Sequence, residues 1–352
     1  MEKKFMKGCE AIAEAAIRAG CTFFAGYPIT PQNEIPEYFA KRMPEEGRTF
    51  VQGESEVAAS YMIYGAASAG ARAMTSSASC GISLKAEGMS YMAAARLPMV
   101  LVNVGRAGPG VGTIQPGQTD YYMCTRAMGH GGFRNLVFAP ATLQETVDMV
   151  YNAFDIAMRD RAPVVVFPDG VIGAMMEPVE LPPMRELEPA PAWATRGCKG
   201  RDFNLIIGGE MKEGPMFEKV NKPLAELYAR WEKEEVRVEE YMVEDAEIVL
   251  TAYGTSARVC RSVVDKCREE GIKAGLIRPI TLYPFPYASY KKLDPKQVKL
   301  VVDVEMCVPA QMLEDVTREL DESIPVETVL TAGGFVVSPK DVEDKIKAFL
   351  KK

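Results

Sequence analysis

One acidic residue of this sequence, Glu56, stands at the start of an alanine-rich segment and could take part in proton transfer. The residues that follow it, Val57, Ala58 and Ala59, are small and apolar. A carboxylate buried among them would be desolvated, and it could then share a proton with a heterocycle. Acidic residues at a helix N-terminus also complement the helix dipole, and this explanation is sufficient for Glu56 taken alone.

Thr30 lies in a predicted turn that could face a ligand. The stretch 25–31 places two prolines after an apolar run. Because proline can extend neither a helix nor a central strand, the chain must leave a strand there. Ligands of open α/β sheets bind at such strand ends. Together with residues 53–56, this turn is predicted to form half of a cofactor and substrate pocket.

Arg106 follows the most apolar predicted strand, residues 98–104. Its guanidinium could hold a carboxylate through two parallel hydrogen bonds. A loop arginine taken alone is more often a solvated surface residue, but a position on the same sheet edge as Thr30 favours a substrate contact. The glycines of residues 105–112 lack the G-x-G-x-x-G spacing of a dinucleotide site, and the sequence has no G-x-x-x-x-G-K-[ST] phosphate loop.

Hydroxyl residues and one histidine complete the candidates. Residues 75–81 follow a predicted strand and precede a helix, so their hydroxyl and N–H groups suit an oxygen-rich or heteroaromatic ligand, although helix capping explains much of the pattern. His130, the single histidine, lies among glycines, and both a surface loop and a pocket lining fit that setting. The eight cysteines include no C-x-x-C pair, so neither a zinc ribbon nor an iron–sulfur site is visible.

The candidate residues follow short apolar strands that alternate with helices. The predicted strands are 21–26, 49–52, 71–76, 98–104 and 163–167, and the predicted helices are 8–20, 32–41, 54–69, 82–95 and 142–159. This alternation is typical of βαβ units around a parallel sheet. We therefore predict an α/β domain over residues 1–180.

The rest of the chain divides into two parts. Residues 181–245 are predicted to form a linker and a charged helical excursion, with a helix over 217–241 whose apolar stripe is Leu224, Leu227, Tyr228 and Trp231. Residues 246–352 show a second, smaller α/β pattern. Its predicted strands are 248–252, 274–277, 300–304 and 326–330, and its predicted helices are 256–270, 310–320 and 340–350.

Composition limits the possible partners. The 352 residues are 47% hydrophobic and 25% charged, as in an ordinary globular protein. The net charge of −7 comes from mixed acidic and basic residues without a basic stripe, so nucleic acid is not an expected partner. No apolar run approaches the roughly 18 residues of a membrane span, and a cytoplasmic location without membrane contact is expected.

Several stretches taken together resemble the thiamine-pyrimidine-binding (alpha-type) subunit of 2-oxoacid:ferredoxin oxidoreductases, most closely the 2-oxoisovalerate (branched-chain) class. They are G-Y-P-I-T-P at 26–31, Q-G-E-S-E-V-A-A at 52–59, T-I-Q-P-G-Q-T-D at 113–120, and residues 75–84, 102–112 and 169–178. The resemblance implies a thiamine-diphosphate-binding fold with a parallel sheet, followed by an α/β domain like the C-terminal domain of transketolase. The chain departs from the family at Cys80, where the family usually has proline.

The resemblance also implies roles for the candidate residues. Glu56 would be the glutamate that hydrogen-bonds the cofactor's pyrimidine ring and favours its imino tautomer. Thr30 and Arg106 would hold the keto and carboxylate oxygens of the 2-oxoacid. The other residues implied to bind the cofactor are Tyr27, Pro28, Ser76 and Ser79, and His130 is a possible pocket residue.

Partners are implied as well. A diphosphate–magnesium site of this superfamily is a G-D-G followed by Asn about 25 to 30 residues later, and the nearest string here, residues 168–170, lacks the first glycine. A partner subunit is therefore expected to carry the diphosphate and magnesium site and an iron–sulfur cluster, in a hetero-oligomer. The implied reaction is oxidative decarboxylation of 2-oxoisovalerate to its acyl-coenzyme A, with ferredoxin as electron acceptor. The alternatives are a 2-oxoglutarate:ferredoxin oxidoreductase subunit and a non-catalytic structural or nucleotide-binding subunit.

Overall fold

The structure of the protein is a computed structural model that describes residues 3–126, 128–202, 204, 206 and 214–351. Its strands are β1 (Lys3–Lys7), β2 (Phe23–Gly26), β3 (Thr49–Gln52), β4 (Ala73–Ser77), β5 (Met99–Asn103), β6 (Leu136–Phe138), β7 (Pro163–Val166), β8 (Met176–Glu180), β9 (Val238–Tyr241), β10 (Ile248–Thr251), β11 (Ala274–Pro279), β12 (Thr281–Tyr283), β13 (Leu300–Glu305) and β14 (Val326–Leu330). Its helices are α1 (Gly8–Arg18), α2 (Glu34–Glu45), α3 (Glu56–Ser68), α4 (Cys80–Ala94), α5 (Tyr121–Thr125), α6 (Leu143–Asp160), α7 (Gly170–Ala174), α8 (Gly214–Glu234), α9 (Gly254–Glu269), α10 (Tyr287–Lys291), α11 (Leu313–Arg318) and α12 (Pro339–Leu350).

Within the described residues, seven strands form one sheet in the order β12-β6-β7-β5-β4-β2-β3. Its neighbouring pairs are parallel except for the antiparallel pair of β12 with β6. Strands β5 and β7 are buried along their whole length, as expected for strands covered by helices on both faces. The predicted α/β fold class is therefore confirmed.

A second sheet, counted over the same residues, has five strands in the order β14-β13-β10-β11-β9. Its pairs are parallel apart from β9 with β11. The prediction of one helix over 217–241 is wrong at its C-terminal end, because α8 ends at Glu234 and residues 238–241 form β9. Tyr241 lies opposite Leu276 in the ladder, so pairing with a distant strand decides the conformation of this charged segment.

Helix α8 holds the predicted excursion against the first sheet. Leu227 and Trp231 of its apolar stripe are buried in the core that surrounds this sheet. The Trp231 Nε1 donates a hydrogen bond to Asp160 Oδ2 at 2.7 Å, so the indole is both packed and satisfied. Within the excursion 181–245, residues 203, 205 and 207–213 lie outside the described part of the chain.

Buried polar residues join the two sheets. Asp169 accepts hydrogen bonds from the Thr255 main-chain N at 2.8 Å and from Thr255 Oγ1 at 2.7 Å. Gln118 accepts one from the Met306 N at 2.9 Å and donates one to the Tyr253 carbonyl at 2.8 Å. The loop that follows β5 is therefore anchored by residues from the later part of the chain. The division of the chain at residues 180 and 246 stays a prediction.

Strand β1 pairs antiparallel with β8 and lies outside both larger sheets. The sequence did not predict this pair, because its strands are separated by most of the first domain and neither has a regular apolar alternation. No helix among the described residues has the length and apolar character needed to cross a membrane.

Candidate active site

Helix α3 places Glu56 at the carboxyl edge of the first sheet. Ser55 caps this helix, and its Oγ accepts a hydrogen bond from the Ala58 N at 3.2 Å. Glu56 is the first helical residue and is 6% exposed. The carboxylate therefore lies in an environment that has little water, as the small apolar residues after it suggest.

Helix α4 approaches this carboxylate at Gly81, a residue without a side chain. A Cβ atom placed on Gly81 would lie 2.6 Å from Glu56 Oε1 and would also overlap with Ser77 Oγ. Any side chain at position 81 must therefore displace both of these polar groups. Glycine at this position keeps the Glu56 carboxylate and the Ser77 hydroxyl facing the same small space.

The Arg106 side chain is buried, at 6% exposed, and lies against the turn that contains Thr30. Its Nη1 donates to the main-chain carbonyl of Thr30 at 2.8 Å, and its Nη2 donates to the Val111 carbonyl at 2.8 Å and to Cys80 Sγ at 2.9 Å. The buried Nε of Arg106 has no hydrogen-bond partner among the described residues. The predicted meeting of Arg106 and Thr30 at one sheet edge is thus observed, through the carbonyl of Thr30.

Cys80 connects the two halves of this arrangement. It is the first residue of α4, it accepts from Arg106, and it immediately precedes the glycine that faces Glu56. The turn after β2 and the loop after β5 therefore meet at Cys80 in the first turn of α4, and the next residue of this helix, Gly81, lies close to the Glu56 carboxylate.

Ser79 fixes the loop that leads into α4. Its Oγ donates to Asp120 Oδ2 at 2.6 Å, and the Arg106 N donates to the same Oγ at 3.2 Å. Asn103 adds a hydrogen bond from its Nδ2 to Asp120 at 3.0 Å. Ser79 has a φ of 35°, a region where a side chain is strained by about 1–3 kcal/mol. Burial raises the pKa of Asp120, and the hydrogen bonds from Ser79 and Asn103 oppose this rise.

The remaining predicted cofactor residues lie at the same edge with different exposure. Ser76 is buried and donates from Oγ to Gln32 Oε1 at 2.5 Å. Tyr27 and Pro28 are exposed on the turn after β2. The hydroxyls of Thr75 and Ser77 are buried without a hydrogen-bond partner within the described residues.

His130 is not brought into this cluster by any of the contacts that the structure gives it. Its side chain is exposed, and its ring packs edge-on against Tyr91 with the ring centroids 6.2 Å apart. Its main-chain carbonyl accepts from Ser90 Oγ at 2.7 Å. The sequence left a surface loop and a pocket lining open for His130. The structure places it in a surface loop that packs against α4.

Lys85 is a residue that the sequence interpretation missed. It is fully buried, and its Nζ donates to the main-chain carbonyl of Glu56 at 3.4 Å. Burial lowers the pKa of Lys85 to about 8, and the charge of Glu56 opposes this shift. A signal was present, because Gly81, Lys85 and Gly88 lie at i, i+4 and i+7 and so share one face of α4.

The arrangement combines three chemical capabilities. Glu56 can exchange a proton with a group placed beside Gly81. The unpaired Nε–H of Arg106 can donate a hydrogen bond to an anionic oxygen. The unpaired hydroxyls of Thr75 and Ser77 can hydrogen-bond a heteroatom. Polar groups that converge in this way at the carboxyl ends of parallel strands are typical of a ligand site in an α/β fold.

Two parts of the chain match known families. Residues 14–210 match the family described as pyruvate flavodoxin/ferredoxin oxidoreductase, thiamine diphosphate-binding. Residues 246–342 match the family described as pyruvate:ferredoxin oxidoreductase core domain II. The first match covers the elements that carry Glu56, Thr30 and Arg106, and the second covers β10, β11, β13 and β14 of the second sheet.

Relatives of the chain carry related names. The ketoisovalerate oxidoreductase subunit VorB of Methanothermobacter thermautotrophicus is 45% identical over 348 residues, covering 99% of this chain and 98% of the relative. The 2-oxoglutarate synthase subunit KorA of Archaeoglobus fulgidus is 36% identical over 324 residues, covering 90% of this chain and 92% of the relative.

Solved structures share the fold. One is described as 2-oxoglutarate:ferredoxin oxidoreductase from Magnetococcus marinus with 2-oxoglutarate, coenzyme A and succinyl-CoA bound, with a TM-score of 0.87 at 22% identity. The alignment covers 99% of this chain but 65% of that longer chain. A split-gene transketolase has a TM-score of 0.57 at 16% identity. By the match of more than half its length and by its relatives, the chain belongs to the thiamine-diphosphate-binding subunit family of the 2-oxoacid:ferredoxin oxidoreductases.

Proposed function

We propose that this chain supplies the pyrimidine and substrate side of the active site in a complex that oxidatively decarboxylates a branched-chain 2-oxoacid. The product is the acyl-coenzyme A, and carbon dioxide leaves while the released electrons pass to ferredoxin. The observation that carries the proposal is the convergence of Glu56 with the Arg106 guanidinium at the first turn of α4.

The residues present fit the pyrimidine ring of thiamine diphosphate. Glu56 offers a buried carboxylate close to the main chain of Gly81, and the unpaired hydroxyl of Ser77 approaches the same glycine. When bound, this cofactor supplies a carbon nucleophile that attacks the keto group and stores the electrons of the broken carbon–carbon bond. In this proposal Glu56 holds the shared proton on the ring, and Ser76 and Ser79 fix the floor of the pocket through Gln32 and Asp120.

Arg106 and Thr30 are proposed to bind the 2-oxoacid. The unpaired Nε–H of Arg106 is a buried donor that a substrate carboxylate would satisfy. The Thr30 carbonyl already accepts a hydrogen bond from the guanidinium, so the orientation of the guanidinium plane is fixed before substrate binds. The Thr30 hydroxyl can then meet the keto oxygen, since the contact with Arg106 uses only the main chain of Thr30.

The charge of the surrounding loops favours a substrate with one carboxylate. Across the described loops 27–31, 77–80 and 105–117, Arg106 is the one cationic residue. The loop after β5 instead carries exposed apolar side chains at Val111 and Ile114. A 2-oxoacid with an apolar branched side chain suits this composition better than 2-oxoglutarate, whose second carboxylate needs its own cation. The 45% identity to a ketoisovalerate oxidoreductase subunit supports the same choice.

Partner subunits complete the proposed enzyme. The relatives are named as subunits, which supports a hetero-oligomer. We propose that a partner carries the diphosphate and magnesium site and an iron–sulfur cluster, and that ferredoxin and coenzyme A act on the assembled complex. Within the described residues, no three His, Cys, Asp or Glu side chains are grouped so that they could hold a metal ion.

Substrate comparison in the assembled complex tests the proposal. Rates of viologen reduction would be measured with 2-oxoisovalerate, 2-oxoglutarate and pyruvate at saturating coenzyme A. We expect kcat/KM to be highest for 2-oxoisovalerate and to fall about 10- to 200-fold when the branched side chain is lost. Equal values for the three acids would reject the branched-chain assignment, and a preference for 2-oxoglutarate would establish the second candidate, which is supported by the 36% identical relative.

A further inference from the structure

Lys85 occupies an unusual position between α3 and α4. The two helices pack so closely that a Cβ atom on Gly88 would lie 2.7 Å from the Cβ of Ser60, and one on Gly81 would lie 2.6 Å from Glu56 Oε1. Lys85 lies on the same face of α4 between these two glycines, and it is fully buried. A long cationic side chain is therefore enclosed at a helix contact that has glycines at its two closest approaches.

Neither packing nor local hydrogen bonding explains a cation at this place. Its ammonium has three donors, and within the described residues it makes one hydrogen bond, at 3.4 Å to the Glu56 carbonyl. It also lies near the N-terminus of α3, where the helix dipole disfavours positive charge. A buried ammonium in such a setting requires a compensating negative charge.

The compensating charge comes from Glu56. Glu56 is the acidic group that acts electrostatically on Lys85, and its own carboxylate is 6% exposed. The two opposite charges, each costly to bury alone, therefore attract one another across the helix contact, at a separation longer than that of a direct ion pair. The other titratable side chains of the two helices, apart from Glu56, Lys85 and Cys80, are Tyr61, Tyr64, Glu87 and Tyr91.

We propose that Lys85 is a positioning residue for Glu56. Its ammonium holds the first turn of α3 through the Glu56 carbonyl and attracts the Glu56 carboxylate, so that this carboxylate faces Gly81 before the cofactor binds. This inference rests on the proposed function, because it gives Glu56 its catalytic role. The Lys85 side chain is enclosed and is expected to touch neither the cofactor nor the substrate.

Two substitutions separate the charge of Lys85 from its bulk. Lys85→Met keeps an unbranched apolar stem without charge, and Lys85→Arg keeps a charge that does not titrate. The matched control is Glu14→Gln, which neutralises a buried carboxylate of α1 that pairs with Arg18 at 2.7 Å, remote from α4. All variants would be studied in the assembled complex, with circular dichroism and subunit composition as the checks of folding.

Calorimetric titration of the cofactor-free complex with thiamine diphosphate and magnesium is the first readout. We expect Lys85→Met to weaken binding about tenfold or more, because removing one of two opposite buried charges leaves the other without compensation. Lys85→Arg is expected to bind within about threefold of wild type, as a retained charge requires. Titration in buffers with different ionisation enthalpies also gives the number of protons exchanged.

Proton exchange is the sharper measurement, because a merely structural lysine would not change it. The pKa of Lys85 is lowered to about 8 by burial, so the free complex holds Lys85 mostly neutral at pH 9. Binding that requires the ammonium then takes up about one proton more in wild type than in Lys85→Arg at that pH, because the proton that Glu56 shares with the ring is common to both proteins. Equal uptake by the two proteins, or binding by Lys85→Met that matches Glu14→Gln, would overturn the proposal.

Steady-state kinetics separate this inference from the proposed function. Lys85→Met should lower kcat while leaving the KM for the 2-oxoacid within about twofold, because the lysine does not contact substrate. A folded Glu56→Gln complex that keeps full activity would refute the proposed function itself. Loss of activity in Glu56→Gln together with control-like behaviour of Lys85→Met would refute only the role of Lys85.

Discussion

Replacing Gly81 with alanine tests whether α4 must present bare main chain to the Glu56 carboxylate. The added Cβ would lie 2.6 Å from Glu56 Oε1 and would overlap with Ser77 Oγ. Both obstacles are the ends of side chains, so the fold can accept the methyl group by moving them. We therefore expect Gly81→Ala to displace the Glu56 carboxylate while lowering the free energy of unfolding only slightly.

The magnitudes follow from the same geometry. Overpacking of a well-packed site costs about 1–3 kcal/mol, and we expect Gly81→Ala at the low end because its obstacles can rotate. Gly88→Ala should cost more within that range, since the Cβ of Ser60, only 2.7 Å away, cannot rotate aside. Gly65→Ala, in α3, meets nothing within 4 Å and should stabilise the helix by about 0.5–1 kcal/mol.

The assay compares these three alanine variants in thermal unfolding and in thiamine diphosphate binding to the assembled complex. Gly81→Ala is expected to lose cofactor affinity out of proportion to its small loss of stability. Gly88→Ala should show the reverse, with a larger fall in melting temperature and nearly normal affinity. Gly65→Ala should keep normal affinity and melt slightly higher.

The reasoning would be refuted by normal cofactor affinity in Gly81→Ala. It would equally be refuted if affinity fell in Gly88→Ala as much as in Gly81→Ala, since general disturbance of the α3–α4 contact would then explain both results.

Three further predictions concern stability. Asp169→Ala should lower the free energy of unfolding by at least about 1–3 kcal/mol, because Thr255 loses its buried acceptor. Burial and the neighbouring Glu305 carboxylate raise the pKa of Asp303 well above its usual range. The stabilising contribution of Asp303 is therefore complete below the pKa of the unfolded state and is lost as pH rises through the pKa of the folded state. Asp303→Asn should therefore melt above wild type at pH 9 and show a smaller difference at pH 6. Trp231→Phe should cost about 1–3 kcal/mol, because Asp160 loses its indole donor.

Each of these has a contrary result in denaturant or thermal unfolding of the assembled complex. An unchanged midpoint in Asp169→Ala would mean that the contact between the sheets contributes little. A difference between Asp303→Asn and wild type that does not vary with pH would remove the role assigned to its protonation. A Trp231→Phe variant as stable as wild type would show that packing alone holds α8.

The sequence predicts five strands of the first sheet because these strands are local apolar runs, but it predicts neither β6 nor β12. Thr49–Gln52 and Val326–Leu330 have the predicted bounds, and the other long elements differ by a few residues at their ends. The errors lie where distant partners decide the structure. Residues 238–241 continue a charged pattern, yet they form a strand because β11 offers an open edge. Strand β12 joins the first sheet for the same reason.

The candidate site was predictable in outline from the rule that loops after parallel strands share one edge. That rule brings Arg106 to Thr30, but it cannot show that the contact uses the Thr30 carbonyl. It also cannot reveal Lys85, which looks like an ordinary surface residue of a helix until the two flanking glycines are known to bring α3 close. The network of Ser79 with Asp120 depends on side-chain positions that spacing does not encode.

The most direct test of the account is the activity of Glu56→Gln in the reconstituted complex, beside Glu54→Gln as a control. Glu54 lies two residues earlier on the same turn and is exposed, whereas Glu56 is buried beside Gly81. With 2-oxoisovalerate, coenzyme A and viologen, we predict that Glu56→Gln loses about 10²- to 10⁴-fold in kcat while the complex stays assembled. Glu54→Gln should stay within about twofold of wild type. Turnover by an assembled Glu56→Gln complex at the level of Glu54→Gln would contradict the catalytic role of this carboxylate.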